Sequence, residues 1–137
     1  MDDDKTLNEK SVATKIRILI ADDSERVKQG LHTILELADD MEVVGDAANG
    51  LEAIQQVEKL RPDLVLMDLG MPKLDGLEAT QRIKERFQST GILMLTIHSS
   101  DSNREKALQA GVDAFIEKGT PTETLIRIIR EICHMQP

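Results

Sequence analysis

The sequence predicts a doubly wound α/β domain: a five-stranded parallel sheet flanked by five helices. Three observations predict it. Five short apolar runs are rich in branched residues, the stretches between them have helical spacing, and the two patterns alternate regularly along the 137 residues. Such alternation places the strands parallel and joins them by right-handed crossovers. The length suits one domain, and 40% hydrophobic residues suffice for a packed core.

The strands are expected at Ile16–Ile20, Met41–Val44, Leu64–Met67, Ile92–Leu95 and Ala114–Ile116. They are too short for stable helices and suit strands buried on both faces, the second and weakest being an edge strand. The first helix follows Ser24, an N-cap, and carries the stripe Val27, Leu31, Ile34, Leu35 and Ala38. The second carries Leu51, Ile54, Val57 and Leu60 and ends at Arg61-Pro62; the third carries Leu77, Thr80, Ile83 and Phe87. Asp75 or Gly76 caps that third helix and is given no catalytic role. Asp101–Ala110 offers only Ala107, Leu108 and Ala110, which predicts a loosely packed helix. The last helix opens at Thr120-Pro121 and carries Leu125, Ile128, Ile129 and Ile132. Residues 1–14 read as a flexible leader, 15–134 as the domain, and 135–137 as the start of a linker or tail.

Composition excludes several classes. Seventeen Lys+Arg against 25 Asp+Glu give a net charge of −8, which disfavours binding a phosphate backbone. With no Trp or Tyr and two Phe, a base-stacking surface is not expected. Cys133 stands alone, so neither an internal disulfide nor a cysteine-based metal site is available. No apolar run approaches the roughly 20 residues of a membrane span, and a reducing, cytoplasmic setting without a membrane partner is expected.

In a doubly wound sheet, ligands bind beyond the carboxyl ends of the strands. Asp22 and Asp23 follow the first run and Asp68 the third; Thr96 follows the fourth and Lys118 the fifth. Singly, each has an ordinary reading: a helix start, a loop acid, a strand end, a solvated ammonium. Together they place three carboxylates, a hydroxyl and an ammonium on one rim. Crowded carboxylates raise one another's pKa unless positive charge compensates. Hard oxygen ligands with open positions suit Mg²⁺. With the ion bound, Asp68 can attack a phosphoryl group whose oxygens Lys118 and Thr96 hold, which is phosphoryl transfer onto a carboxylate.

These residues also spell a family. The chain resembles the receiver domain of bacterial two-component response regulators. The matching motifs are Ala21-Asp22-Asp23, Met67-Asp68-Leu69-Gly70-Met71-Pro72-Lys73-Leu74-Asp75-Gly76, Leu95-Thr96-Ile97-His98 and Phe115-Ile116-Glu117-Lys118-Gly119. The runs VVGDAANGLEAI and GMPKLDGLEAT are similar to the NarL/LuxR-type subfamily. The resemblance implies a flavodoxin-like receiver fold with strand order 2-1-3-4-5. It implies a phosphorylation-activated signalling switch, not a turnover enzyme, in which Asp68 takes a phosphoryl group from a sensor histidine kinase. Mg²⁺ would be held by Asp23, Asp68 and the backbone carbonyl of Gly70, with Asp22 acting through water. Thr96 and Lys118 match the positions that grip the phosphoryl oxygens.

Phe115 matches the aromatic switch that follows the threonine; lacking a hydroxyl, it would act through packing alone, and plain core is its ordinary reading. Gly70 and His98 match the positions that tune the lifetime of the phosphoryl group, with an exposed loop residue as the plainer reading of His98. Ile97 stands where many receivers carry a small residue, and Lys118-Gly119 replaces the Lys-Pro of other subfamilies. Relatives of this type carry a helix-turn-helix domain after the receiver. The expectation is therefore the receiver part of a transcriptional regulator, reaching DNA only through a domain absent here, with homodimerisation on phosphorylation as a further possibility. Two other classes fit the sequence less well. A phosphatase forming an aspartyl-phosphate needs a second acid two residues after the nucleophile, where Gly70 stands. An FMN carrier needs a hydroxyl-rich phosphate loop where Asp22-Asp23 stand.

Overall fold

Alternate residues of the central strands feed two cores, one on each face of the sheet, as the period of two requires when both faces are covered. The computed structural model describes residues 15–97 and 99–134. The proposed leader, His98 and residues 135–137 lie outside the described residues. The elements run β1 (Ile16–Ala21), α1 (Glu25–Glu36), β2 (Met41–Ala47), α2 (Gly50–Leu60), β3 (Leu64–Met67), α3 (Gly76–Arg86), β4 (Gly91–Thr96), α4 (Asp101–Ala110), β5 (Ala114–Glu117) and α5 (Thr122–His134). All strand pairs are parallel, in the order β2-β1-β3-β4-β5, so the chain reverses direction across the sheet between β1 and β3.

Ile16, Ile18 and Ile20 of β1, Leu64 and Leu66 of β3, and Leu93 and Leu95 of β4 pack against α1 and α5. Leu19, Ala21, Val65, Met67, Ile92 and Met94 face the other way, onto α2, α3 and α4. The edge strand β2 is bulged: Ile18 faces Val43 but Leu19 faces Gly45, leaving Val44 unpaired. Bulges and charged residues protect exposed sheet edges, and Glu42 and Asp46 stand exposed on this one.

The helices differ in how firmly they are held. α5 buries Leu125, Ile129 and Ile132, each contributing about 1.5–3 kcal/mol. α4 buries only Ala107, a methyl group worth about 1 kcal/mol, while Leu108 is 55% exposed. The loosely packed helix expected over Asp101–Ala110 is therefore present. Two details of the stripes differ from expectation. Leu51 turns outward, because α2 meets the sheet through Ala53 and Val57. Phe87 lies past the end of α3, with the guanidinium groups of Arg61 and Arg86 4.5 and 5.0 Å from its ring centroid. Among the described residues, no helix is long and apolar enough to cross a membrane.

Candidate functional site

Backbone hydrogen bonds carry the sheet ladder one residue past its strands and into the rim. The N–H of Asp22 donates to Ala47 O at 2.9 Å, that of Asp68 to Ala21 O at 2.9 Å, and that of Lys118 to Thr96 O at 3.0 Å. Ala21 lies opposite Met67 in the ladder, so the residues that follow them, Asp22 and Asp68, emerge side by side. Thr96 lies opposite Glu117, which sets Lys118 at the same edge. Main-chain pairing thus assembles the acids against their mutual repulsion.

The rim is half-enclosed. Asp22 and Asp68 are 2% and 6% exposed and Thr96 is fully buried, while Asp23 faces solvent. One carboxylate oxygen from each of Asp22, Asp23 and Asp68 lies within 4.8 Å of the others. The Lys118 ammonium sits 2.7 Å from Asp22 Oδ2 and 3.4 Å from Asp68 Oδ1. Asp22 Oδ1 accepts the Ser24 N–H at 2.8 Å, so both oxygens of Asp22 are engaged. Asp68 Oδ1, by contrast, is buried without a hydrogen-bond partner. Its ion-pair partner is the Lys118 ammonium, held at the longer distance of 3.4 Å.

Burial pushes the Asp68 carboxyl above the usual carboxylate range; the charge of Asp22 adds to this, and Lys118 offsets only part of it. Burial alone would pull the Lys118 ammonium down, but the hydrogen bond to Asp22 and the charges of Asp68 and Asp22 hold it above its ordinary value. One ammonium therefore faces three acids. The uncompensated charge, the all-oxygen donor set and the orphaned oxygen of Asp68 fit a hard divalent cation such as Mg²⁺. They do not fit a soft metal or an anion placed directly on the acids.

The loop after Asp68 is fastened at both ends. The Gly76 N–H donates to Leu69 O at 2.9 Å, and Asp75 Oδ1 caps α3 through the Glu78 N–H at 2.9 Å. Leu74 N–H donates to Pro72 O at 2.7 Å across Lys73, whose φ is 66°. That is a γ-turn in the rare, strained hand, which persists only where surroundings enforce it. The enforcing contact comes from Gly50, whose N–H donates to Leu74 O at 2.8 Å. Sequence reasoning passed over Gly50; a glycine just after the N-cap Asn49 was its only local signal.

The remaining candidates fall around this centre. Phe115 is 4% exposed within the core, with the Arg104 guanidinium 5.1 Å from its ring centroid. Gly70 is exposed, and Ile97, 70% exposed, stands at the lip beside Thr96. Cys133 is half-buried on α5, its thiol pushed up to about 11 chiefly by burial, which suits an inert packing residue.

Known proteins share this fold. Residues 18–130 match the response regulator receiver domain. The chain is 45% identical over 112 residues to an uncharacterized transcriptional regulatory protein, YhcZ, of Bacillus subtilis, covering 82% of this chain and 52% of the relative. It is 42% identical over 116 residues to the response regulator protein VraR of Staphylococcus aureus, covering 85% and 56% respectively. The chain thus spans about half the length of these curated relatives. The response regulator domain of Thermotoga maritima CheB superposes with a TM-score of 0.83 at 31% identity, covering 90% of this chain and 99% of that one. A LuxR-family two-component response regulator from Aurantimonas superposes at 0.84 and 30% identity, covering 89% and 87%. The chain belongs to the response regulator receiver domain family.

Proposed function

We propose that Asp68 is the phosphoacceptor of a signalling switch, charged by the phosphohistidine of a sensor kinase. An Asp68 carboxylate oxygen attacks phosphorus in line, the P–N bond breaks, and the departing imidazole keeps the electron pair and takes up a proton. Mg²⁺, when bound, neutralises charge shared between the carboxylates and the incoming phosphoryl oxygens. Asp23, Asp68 and the Gly70 carbonyl would hold it, with Asp22 acting through water. Lys118 neutralises a further phosphoryl oxygen and the Thr96 hydroxyl donates to another. The observation that carries this reading is the buried Asp68 Oδ1, without a close hydrogen-bond donor, in a cluster of three acids beside one ammonium. A buried polar atom short of donors asks for an explanation, and a bound cation supplies one.

Downstream, Thr96 and Phe115 pass the charge change to α4, the helix with least buried anchorage; with no phenolic hydroxyl, Phe115 acts through ring packing. Gly70 and His98 set the lifetime of the acyl phosphate. The wider protein is a transcriptional regulator of the cytoplasm, with a DNA-binding part beyond this domain and dimerisation favoured on phosphorylation. The test is incubation with a small acyl phosphate and Mg²⁺, followed by intact mass. One added phosphoryl group is expected, lost with Asp68→Asn and lost when Mg²⁺ is chelated; addition surviving Asp68→Asn would refute the assignment.

A further inference from the structure

We infer that Gly50, on a helix that carries none of the site residues, is a positioning residue for the metal-binding loop. This deepens the proposed function and rests on it, since the loop matters for Mg²⁺ only if the Gly70 carbonyl is a ligand. Gly50 opens α2, where the first N–H groups of a helix lack intrahelical partners. Here the orphan N–H of Gly50 reaches across to Leu74 O at 2.8 Å. A Cβ at Gly50 would lie 2.2 Å from that oxygen and 2.8 Å from the Leu74 Cβ. Ordinary contacts begin near 3.4 Å, so any side chain would force the two backbones about an ångström apart.

The loop would give way before the helix does. α2 is fixed by a reciprocal cap: Asn49 Oδ1 accepts the Glu52 N–H at 2.9 Å, and Glu52 Oε1 accepts the Ala48 N–H at 2.9 Å. Ala53 and Val57 bury its inner face completely. The loop sets Met71 and Leu74 against the core, but between them, at Lys73, it already holds a strained φ of 66°. Displacement there would be transmitted through Met71-Pro72 to Gly70, four residues back along the chain from Leu74. Misplacing a ligand by about an ångström can cost on the order of 100-fold.

Gly76 shows why Gly50 is the better probe. A Cβ at Gly76 would lie 2.1 Å from the carbonyl oxygen of Asp68 itself and would disturb the phosphoacceptor directly. Gly50 touches only the far end of the loop. Gly30 on α1 supplies the control, because a Cβ there meets nothing within 4 Å. Both positions are helical, so alanine favours the helix in each case.

The experiment titrates Mg²⁺ into wild-type, Gly50→Ala and Gly30→Ala protein while following backbone amide signals by NMR. In Gly50→Ala, the amides of Gly70, Met71, Lys73 and Leu74 are expected to shift before any metal is added, and Mg²⁺ affinity to fall by about 10- to 100-fold. Gly30→Ala should match the wild type in both respects. Unshifted loop amides with wild-type affinity in Gly50→Ala would overturn the inference and leave the proposed function standing. A wild-type protein that does not bind Mg²⁺ would overturn the proposed function instead. Should Gly50→Ala not fold, hydrogen exchange in the wild type decides. By linkage, a clamp that aids Mg²⁺ is tightened by it, so Mg²⁺ should slow exchange of the Gly50 amide several-fold more than that of Glu52. Equal effects would refute the clamp.

Discussion

Asp40, Asp63 and Asp113 each stand one residue before a strand; Asp22 and Asp68 each stand one residue after one. The two ends of the sheet treat these acids differently. At the amino end, Asp63 Oδ2 accepts the Arg17 N–H at 2.9 Å, and Asp113 Oδ2 accepts the Ile92 N–H at 2.8 Å with Lys84 Nζ at 2.9 Å. Asp40 takes both arms of Arg130, at 2.8 and 3.0 Å. Those acids are spaced apart and satisfied, and they staple neighbouring elements. At the carboxyl end, three acids crowd one ammonium, and a buried oxygen of Asp68 has only that ammonium, at 3.4 Å. The residue type is the same, and hydrogen-bond accounting separates structural from reactive use.

The sharpest way to break the comparison is to exchange the consequences of losing one acid from each end. Asp68→Asn should abolish phosphoryl acceptance with the fold intact. Asp113→Ala should preserve acceptance but cost about 1–3 kcal/mol in denaturant unfolding, because it strands the Ile92 N–H and the Lys84 ammonium. An Asp113→Ala protein that cannot be phosphorylated, yet is as stable as the wild type, would erase the distinction.

The ends should also answer pH in opposite senses. The Asp68 carboxyl lies above its ordinary value through burial, so its contribution favours the folded metal-free protein at acid pH and is lost as pH rises through the folded value. Asp68→Asn should remove that loss and raise the melting temperature of metal-free protein at neutral pH, and Mg²⁺ should do the same for the wild type. The Arg130 hydrogen bond holds the Asp40 carboxyl below its ordinary value, so its smaller, solvent-screened contribution is present above the usual carboxylate range and fades as pH falls. Melting curves of Asp68→Asn and Asp40→Asn against pH would separate the two.

Much of this was legible in the sequence because the apolar runs stop at the residues that matter. Strand ends at Ala21, Met67, Thr96 and Glu117 put Asp22, Asp68, Thr96 and Lys118 on one rim, and the thin stripe over Asp101–Ala110 announced a weakly anchored helix. What escaped depends on contacts distant in sequence. β2 runs on to Ala47 because a bulge at Val44 lets Gly45 and Asp46 keep pairing with β1, which no apolar pattern reveals. The preference of Lys118 for Asp22 over Asp68, and the reach of Gly50 to Leu74, are set by tertiary geometry. Thr80 is a similar case: it sits in the third stripe as expected, yet its buried hydroxyl has no partner. No function explains it. Thr80→Val is therefore expected to be neutral or to stabilise by up to about 1 kcal/mol, with phosphorylation unchanged. This is the smallest effect in the series.

The most direct test uses the two kinds of acid within one peptide. Borohydride reduces an aspartyl phosphate to homoserine, marking the residue that carried the phosphoryl group. Trypsin then releases Leu60–Lys73, which holds both Asp63 from the amino end and Asp68 from the carboxyl end. Fragmentation should place homoserine at position 68, only in protein treated with both the acyl phosphate and Mg²⁺, with Asp63 untouched. Homoserine at position 63, or at neither position in protein that has gained a phosphoryl group, would contradict the account.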